Sequence, residues 1–290
     1  MHIRANQKIE CALYVVATPI GNLGDITLRA LDVLGAVAVV AAEDTRNTRH
    51  LLQHHDIGDA KLLALHQHNE RAGAEKIITL LQQGQSVALV TDAGTPAVSD
   101  PGALLIEAVR TAGFRVIPIP GASAAIAALS ASGLSAPHFL FYGFLPNKSA
   151  ARRAALQALA DQTCTLVFYE APHRILDCVA DLYAIFGDER EIVFAREITK
   201  LFESIHHCKL GEAMAWLGSD PNNQRGEFVL LVSGAVPRGE DMDAQTERVL
   251  VVLLSELPLK QAVSLAVQIT GLNKNALYER ALVLKQEASQ

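Results

Sequence analysis

Thr91-Asp-Ala-Gly-Thr-Pro-Ala-Val-Ser-Asp-Pro-Gly102 follows the apolar run Ser86–Val90 and leads into Ala103-Leu-Leu-Ile, so it carries the chain from a strand into a helix. Asp92 ends the strand, and Gly94 and Pro96 set a tight turn. Ser99 and Asp100 offer capping oxygens. Asp100 before Pro101 reads as an N-cap with a proline at the first helical position, and Gly113 stands where that helix would stop. The backbone N–H and C=O groups of such a turn are free to hold a polar ligand without charged side chains. A buried strand, a ligand turn and a helix in this order make the unit of a mainly parallel α/β sheet, whose ligands sit beyond the carboxyl ends of the strands.

The pattern repeats in both directions. Strands are expected at Ala12–Ala17, Val37–Ala42, Lys61–Leu65, Ser86–Thr91 and Arg115–Ile119, mostly too continuously apolar for a half-exposed sheet. Asn69 is placed to cap a helix that Gly84 ends. These elements form a first α/β domain over residues 11–135. After the seam at Ala136-Pro137, strands at Phe139–Tyr142, Thr165–Tyr169, Glu191–Ala195 and Phe228–Val232 alternate with helices near 150–160, 173–186 and 211–217. This gives a second α/β domain over 136–234, whose sheet type the pattern leaves open. Ala235-Val-Pro-Arg-Gly-Glu-Asp241 reads as a linker, and residues 241–288 show helical periodicity only. Leu250, Leu253, Leu254 and Leu257 share one face, as do Ala262, Leu265, Ala266 and Ile269. Gly271 then separates them from a helix carrying Leu277, Ala281 and Leu284. Helix, short glycine turn, helix is the outline of a helix-turn-helix. Its four cations, Lys260, Lys274, Arg280 and Lys285, stand against Glu279, and either RNA contact or simple packing accounts for them.

Composition narrows the class. The chain has 290 residues, half of them apolar and 19% charged, which is globular. Its longest apolar run, Ala36–Ala42, is too short to span a bilayer, and Met1–Lys8 lacks the apolar core of a signal peptide. Cys11, Cys164, Cys178 and Cys208 have no paired spacing, which argues against zinc and disulfides and fits thiols in a reducing cytoplasm. The net charge of −6 offers no general attraction to nucleic acid, so an RNA contact needs a local basic patch.

Two further loops stand at strand ends. Thr18-Pro-Ile-Gly-Asn-Leu-Gly-Asp25 leads into a helix that Asp25 is placed to cap, and Pro118-Ile-Pro-Gly-Ala-Ser-Ala124 leads into a helix of small residues. Neither is a dinucleotide G-x-G-x-x-G fingerprint, and no P-loop lysine occurs. With Ala42-Glu-Asp-Thr-Arg46, Tyr142-Gly-Phe-Leu-Pro146 and Tyr169-Glu-Ala-Pro-His-Arg174, these loops resemble the tetrapyrrole-methylase fold family, and within it the branch that acts on ribosomal RNA. The likeness covers most of residues 11–234. Members acting on tetrapyrroles usually carry Gly-Asp-Pro where this chain has Gly94-Thr95-Pro96, which points away from a corrin-type substrate.

The resemblance implies an α/β, two-domain tetrapyrrole-methylase-like fold with a small helical appendage, a homodimer, and S-adenosyl-L-methionine bound between the domains. It also implies methylation of the ribose 2′-hydroxyl of a decoding-region cytidine in 16S rRNA, within the small ribosomal subunit. By matching motif positions, Asp92, Gly94, Thr95, Val98, Ser123 and Ala124 would meet the methionine and ribose of the donor, Tyr169 and Phe228 its adenine side, and Pro19 its floor. No metal is required. A base that takes the hydroxyl proton adds roughly 10²–10⁴-fold to such a displacement. Asp44 and Glu43, at the end of the second strand, are the candidates, although Asp44 or Thr45 equally suits a helix cap. His66, His68 and His173 are alternatives by chemistry. For RNA phosphates, Lys148, Arg152 and Arg153 form the densest basic cluster, with Arg46, Arg49, Arg174 and Lys200 extending it. A small-molecule methylase and a ligand-sensing regulator are the competing classes.

Overall fold

A computed structural model describes residues 9–58, 60–66, 69–236 and 244–287. His68, the N-terminal stretch Met1–Lys8, residues 237–241 of the expected linker and the edges of the 241–288 region lie outside the described residues. The chain up to Gly234 forms one compact unit, and the residues after it form a second.

The first half of the large unit is built from β1 (Leu13–Val16), α1 (Leu28–Ala36), β2 (Val39–Ala42), α2 (Thr45–His54), β3 (Lys61–Ala64), α3 (Glu70–Gln82), β4 (Val87–Val90), α4 (Ala103–Thr111), β5 (Val116–Ile119) and α5 (Ala124–Ala131). Its sheet is wholly parallel, in the order β3-β2-β4-β1-β5. The apolar strands alternate their side chains between two helical layers. Tyr14, Val16, Val40, Ala88 and Val90 pack with Ala30, Val33 and Leu34 of α1 and Leu52 of α2. Leu13, Val39, Ala41, Val87 and Leu89 pack with Ile77 and Leu81 of α3 and Leu105 and Val109 of α4. This two-sided cover is why the strands read as unbroken apolar runs.

Helix starts depart from expectation in three places. Asp25 caps nothing, because it falls inside a 3-10 turn opened by Asn22; the Thr27 hydroxyl instead accepts from Ala30 N–H at 3.1 Å and starts α1. Asn69 precedes α3, but its side chain accepts from His66 N–H and donates to the Ala64 carbonyl, so it braces the incoming turn. Asp100 and Pro101 do not open α4, which begins after Gly102. The cap comes from another helix. Buried Glu70, at the first position of α3, accepts from the N–H groups of Gly102, Leu104 and Leu105 at 3.0, 2.9 and 3.3 Å. One carboxylate thereby supplies the negative charge that the N-terminus of α4 favours.

The second half contains β6 (Phe139–Phe144), α6 (Ser149–Leu159), β7 (Thr165–Glu170), α7 (Ile175–Phe186), β8 (Glu191–Arg196), β9 (Ser204–Lys209), α8 (Leu210–Ser219) and β10 (Phe228–Val232). Its sheet is mixed, in the order β6-β7-β10-β8-β9, with β6 parallel to β7 and the remaining pairs antiparallel. One face carries α6, α7 and α8 over Phe168, Phe194 and Leu230. The other face receives Ala125 and Ala128 of α5 against Val167, Val193, Val229 and Leu231. The last helix of the first half thus covers the second sheet, and its small residues permit that close packing.

The second unit consists of α9 (Ala244–Glu256), α10 (Leu259–Thr270) and α11 (Lys274–Glu287), with Gly271 left-handed at φ 72°. Leu250, Val263, Ala266, Leu277 and Ala281 form its core. Ala262, Val263 and Ala266 are the buried stripe of α10, and the expected Leu265 and Ile269 stay exposed. No helix among the described residues is long and apolar enough to cross a membrane.

Candidate active site

Adjacent β1 and β4 send their following helices to opposite faces of the first sheet, which makes the crevice between their carboxyl ends the topological switch point. The loops after these strands are tied together there. Thr18 and Gly94 exchange both backbone hydrogen bonds, at 2.9 and 3.1 Å, and the Thr18 hydroxyl donates to the Thr91 carbonyl at 3.0 Å. Thr95 then donates its hydroxyl to the Ala122 carbonyl at 3.2 Å, which links the loop after β5 to the same point. Gly121 lets that loop lie against β1, since a Cβ there would stand 2.8 Å from the Cβ of Ala17.

The Thr91–Gly102 loop is held in an uncommon conformation. Gly94 takes φ 81°, and Ala97 and Ser99, without glycine's freedom, both take φ 65°. Ala97 and Ser99 each cost on the order of 1–3 kcal/mol in that conformation. The Glu70 grip on Gly102 and the Thr18–Gly94 bridge secure the two ends of this strained stretch.

A cavity of about 310 Å3 opens between the two sheets. Gly94, Thr95, Val98, Ser123, Ala124, Tyr169 and Phe228, all named from sequence, line it. The Tyr169 hydroxyl accepts from Ala125 N–H at 3.2 Å, joining β7 of the second sheet to the start of α5; burial pushes its pKa up. Phe144, which sequence reasoning did not select, stands edge-on to the Tyr169 ring at 5.6 Å and forms part of the wall. A second cavity of about 310 Å3 is lined by Thr18, Pro19, Gly21, Asn47, His50, Thr91 and Asp92 among others. Pro19 and Asp92 therefore belong to this neighbour and not to the first cavity. Ile20 and Ala93 line both.

The first cavity is acidic. Asp100, Glu170, Glu197 and Glu227 line it against the single cation Lys200. Lys200 Nζ binds Glu197 at 2.8 Å and Glu227 at 2.7 Å, so it is part of the cavity wall and does not extend a phosphate track. Burial and the charges of Glu43 and Asp92 push Asp100 up to about 6. Asp44 differs. Its carboxylate accepts from Arg46 N–H at 2.8 Å and pairs with the Arg46 guanidinium at 2.6 Å, which holds it down at about 2. Glu43 accepts the Thr91 hydroxyl at 2.9 Å, and Asp92 accepts from Asp44 N–H and the Asn47 amide, both at 3.2 Å. Neither Glu43 nor Asp44 lines either cavity.

The basic cluster divides. Lys148 and Arg153 are exposed, but Arg152 is buried, with Nε 2.7 Å from Asp181 and Nη1 on the Asn147 carbonyl. It pins α6 to α7 and offers nothing to a phosphate. Its place on the face of Leu156 and Leu159 is the helical spacing that could have shown this. Arg174 is similarly committed, to Glu170 at 3.1 Å, the Leu145 carbonyl at 2.6 Å and the Asn147 side chain. Arg49 is exposed on α2, and the Arg46 side chain remains 82% exposed although paired with Asp44.

Comparison with known proteins agrees with this architecture. Residues 12–214 match the family model of the Tetrapyrrole (Corrin/Porphyrin) Methylases, and residues 240–285 match the RsmI C-terminal HTH domain. The chain is 53% identical over 270 residues to the ribosomal RNA small subunit methyltransferase I of Escherichia coli O157:H7, covering 93% of this chain and 94% of the relative. It is 54% identical to the protein of that name from Pseudomonas aeruginosa, covering 93% and 96%. The solved uroporphyrin-III-C-methyltransferase of Thermus thermophilus shares the fold at a TM-score of 0.55 and 22% identity, over 76% of this chain and 93% of that one. Loops, cavity and sequence together make the chain a methyltransferase that belongs to the tetrapyrrole methylase family, in its ribosomal RNA small subunit methyltransferase I group.

Proposed function

We propose that the chain transfers a methyl group from S-adenosyl-L-methionine to the ribose 2′-hydroxyl of a decoding-region cytidine in 16S rRNA of the small ribosomal subunit, as a cytoplasmic homodimer. The observation that carries this reading is the acidic cavity built by the motif loops at the switch point between two sheets. Its residues fit the donor. Asp100, Glu197 and Glu227 against the single Lys200 suit a ligand bearing a sulfonium and an ammonium charge, Phe144 and Tyr169 supply aromatic surface, and the turn at Gly94 exposes backbone groups. When bound, the donor supplies an electrophilic methyl group on a positively charged sulfur.

Gly94, Thr95, Val98, Ser123 and Ala124 would hold the methionine and ribose portions, and Tyr169 and Phe228 the adenine side. Pro19 and Asp92 face the second cavity, on the side from which the acceptor would come. Because the reaction is an in-line displacement, fixing the acceptor oxygen against the methyl carbon supplies much of the rate. Lys148, Arg153, Arg49 and Arg46 are the exposed cations left to meet RNA phosphates. The test is tritium transfer from labelled donor to small ribosomal subunits, free 16S rRNA and a corrinoid, followed by nuclease mapping of the labelled nucleotide. Label in a ribose 2′-O-methyl of 16S rRNA is expected. Label in the corrinoid, or in a base, would overturn the reading.

A further inference from the structure

The second cavity adjoins the first at Ile20 and Ala93 and, at about 310 Å3, has the size of a small-ligand pocket. Leu23 and Leu51 give it apolar walls, and Asn47 and His50 reach it from one face of α2, three positions apart. We propose, on the basis of the methyltransferase reading above, that this cavity takes the base of the acceptor nucleoside, turned out of its stack, and that Asn47 selects the exocyclic amine of cytosine. The sugar then lies at the Ile20–Ala93 junction, where its hydroxyl meets the donor's methyl group. From there the base extends along α2 toward Asn47 and His50.

Several polar groups around this cavity are already bonded within the protein. The Thr18 hydroxyl donates to the Thr91 carbonyl at 3.0 Å, and the Thr91 hydroxyl to Glu43 at 2.9 Å. Asp92 accepts from Asp44 N–H and from the Asn47 side-chain amide, both at 3.2 Å. That second bond fixes the amide, because a carboxylate only accepts. Asn47 Nδ2 is committed to Asp92, and the carbonyl Oδ1 is the group it has left for a ligand. Among the described residues no donor is bonded to Oδ1. Cytosine presents an N4 amine to such an acceptor. Uracil presents a carbonyl oxygen in its place, which would face Oδ1 with no proton between them. Asp92 is also an acceptor, so it strengthens the same bias. His50 is exposed and offers an imidazole face on which an unstacked base can lie. Arg46 and Arg49, exposed on the same stretch of α2, are the nearby cations for the flanking phosphates.

The experiment measures kcat/KM for methyl transfer to unmodified small ribosomal subunits whose 16S rRNA carries cytidine or uridine at the mapped nucleotide. Wild type, Asn47→Ala and His50→Ala are compared, with donor affinity followed by calorimetry. Wild type should prefer cytidine by roughly 5–150-fold, the discrimination expected of a good base-edge contact. Asn47→Ala should lose most of that preference, chiefly by slower transfer to cytidine. His50→Ala should raise KM for both subunits by roughly 5–150-fold, the worth of a stacking contact, while the preference persists. Both variants should bind the donor as wild type does. A wild type indifferent to the base would overturn the assignment, as would an Asn47→Ala protein with its preference intact or a His50→Ala protein with unchanged KM. Both positions are exposed, and Trp216 fluorescence checks the fold; should Asn47→Ala fail to fold, Asn47→Ser carries the same comparison. Failure of the wild-type protein to label the cytidine-bearing rRNA would instead overturn the methyltransferase reading itself.

Discussion

Replacing Glu70 by alanine removes one carboxylate that serves three amide donors on another helix. The acceptors lost by Gly102, Leu104 and Leu105 lie at 3.0, 2.9 and 3.3 Å, and Gly102 and Leu105 are buried, so water replaces the bonds poorly. Loss of a cap alone costs about 0.5–2 kcal/mol. Loss of the negative charge at a partly buried helix N-terminus adds up to ~2 kcal/mol, which brings the expected destabilisation to between about 0.5 and 4 kcal/mol. Glu70→Gln keeps an acceptor oxygen and should lose about 1 kcal/mol. The chain's one tryptophan, Trp216 of α8, lies in the same compact unit, so its fluorescence during urea unfolding reports that unit apart from the C-terminal helices. The alanine variant should shift the midpoint with little change in slope, and should bind the donor more weakly as Ala97 and Ser99 relax from their left-handed conformations. A midpoint matching a stability loss under about 0.5 kcal/mol would refute the role given to Glu70.

Four other outcomes follow from contacts described above. Asp100→Asn should stabilise the fold above pH 6: the raised pKa means that stability is greatest below the unfolded value and falls as pH rises through about 6, and the amide escapes that loss. After discounting for its partial exposure the gain is on the order of 1–2 kcal/mol, and a variant no more stable than wild type at pH 8 would contradict it. Arg152→Ala should destabilise by about 3–5 kcal/mol by leaving Asp181 unpaired in the interior. Lys148→Ala with Arg153→Ala should leave the melting temperature unchanged while flattening the salt dependence of RNA binding; the opposite pattern would restore Arg152 to the RNA surface. Tyr169→Phe should cost about 1–2 kcal/mol, because the Ala125 N–H loses its acceptor, and should weaken donor binding in calorimetry; unaltered affinity would remove the hydroxyl from the site.

Much of this architecture was legible from local pattern. The central strands β1, β2 and β4 declared themselves as continuous apolar runs because helices cover both faces of their sheet, and Gly84 and Gly271 marked helix ends through left-handed backbone. β9 was missed because Ser204-Ile-His-His-Cys-Lys209 is a half-exposed edge strand that alternates with polar residues. Most of the residues expected at the donor site do line one cavity, since they sit on loops whose ends the strands fix. What sequence could not show were partners far along the chain. Glu70 on the N-terminus of α4, Asp181 on Arg152, and Glu227 on Lys200 decide which charged groups remain free, and no local spacing announces them. Asp44 was ambiguous between cap and base, and its bond to Arg46 N–H favours the cap.

The remote cap on α4 also bears on how such a loop can change through evolution. In an ordinary strand-turn-helix, the residues just before the helix must both start it and meet the ligand, so a change that suits a new acceptor also loosens the scaffold. Here the helix takes its anionic cap from a residue 32 positions away. Positions from Thr95 to Asp100 are relieved of that duty, and selection can rework them for a different acceptor while the helix behind them stays in place. A family with one fold and chemically distant substrates is what such a separation of duties allows.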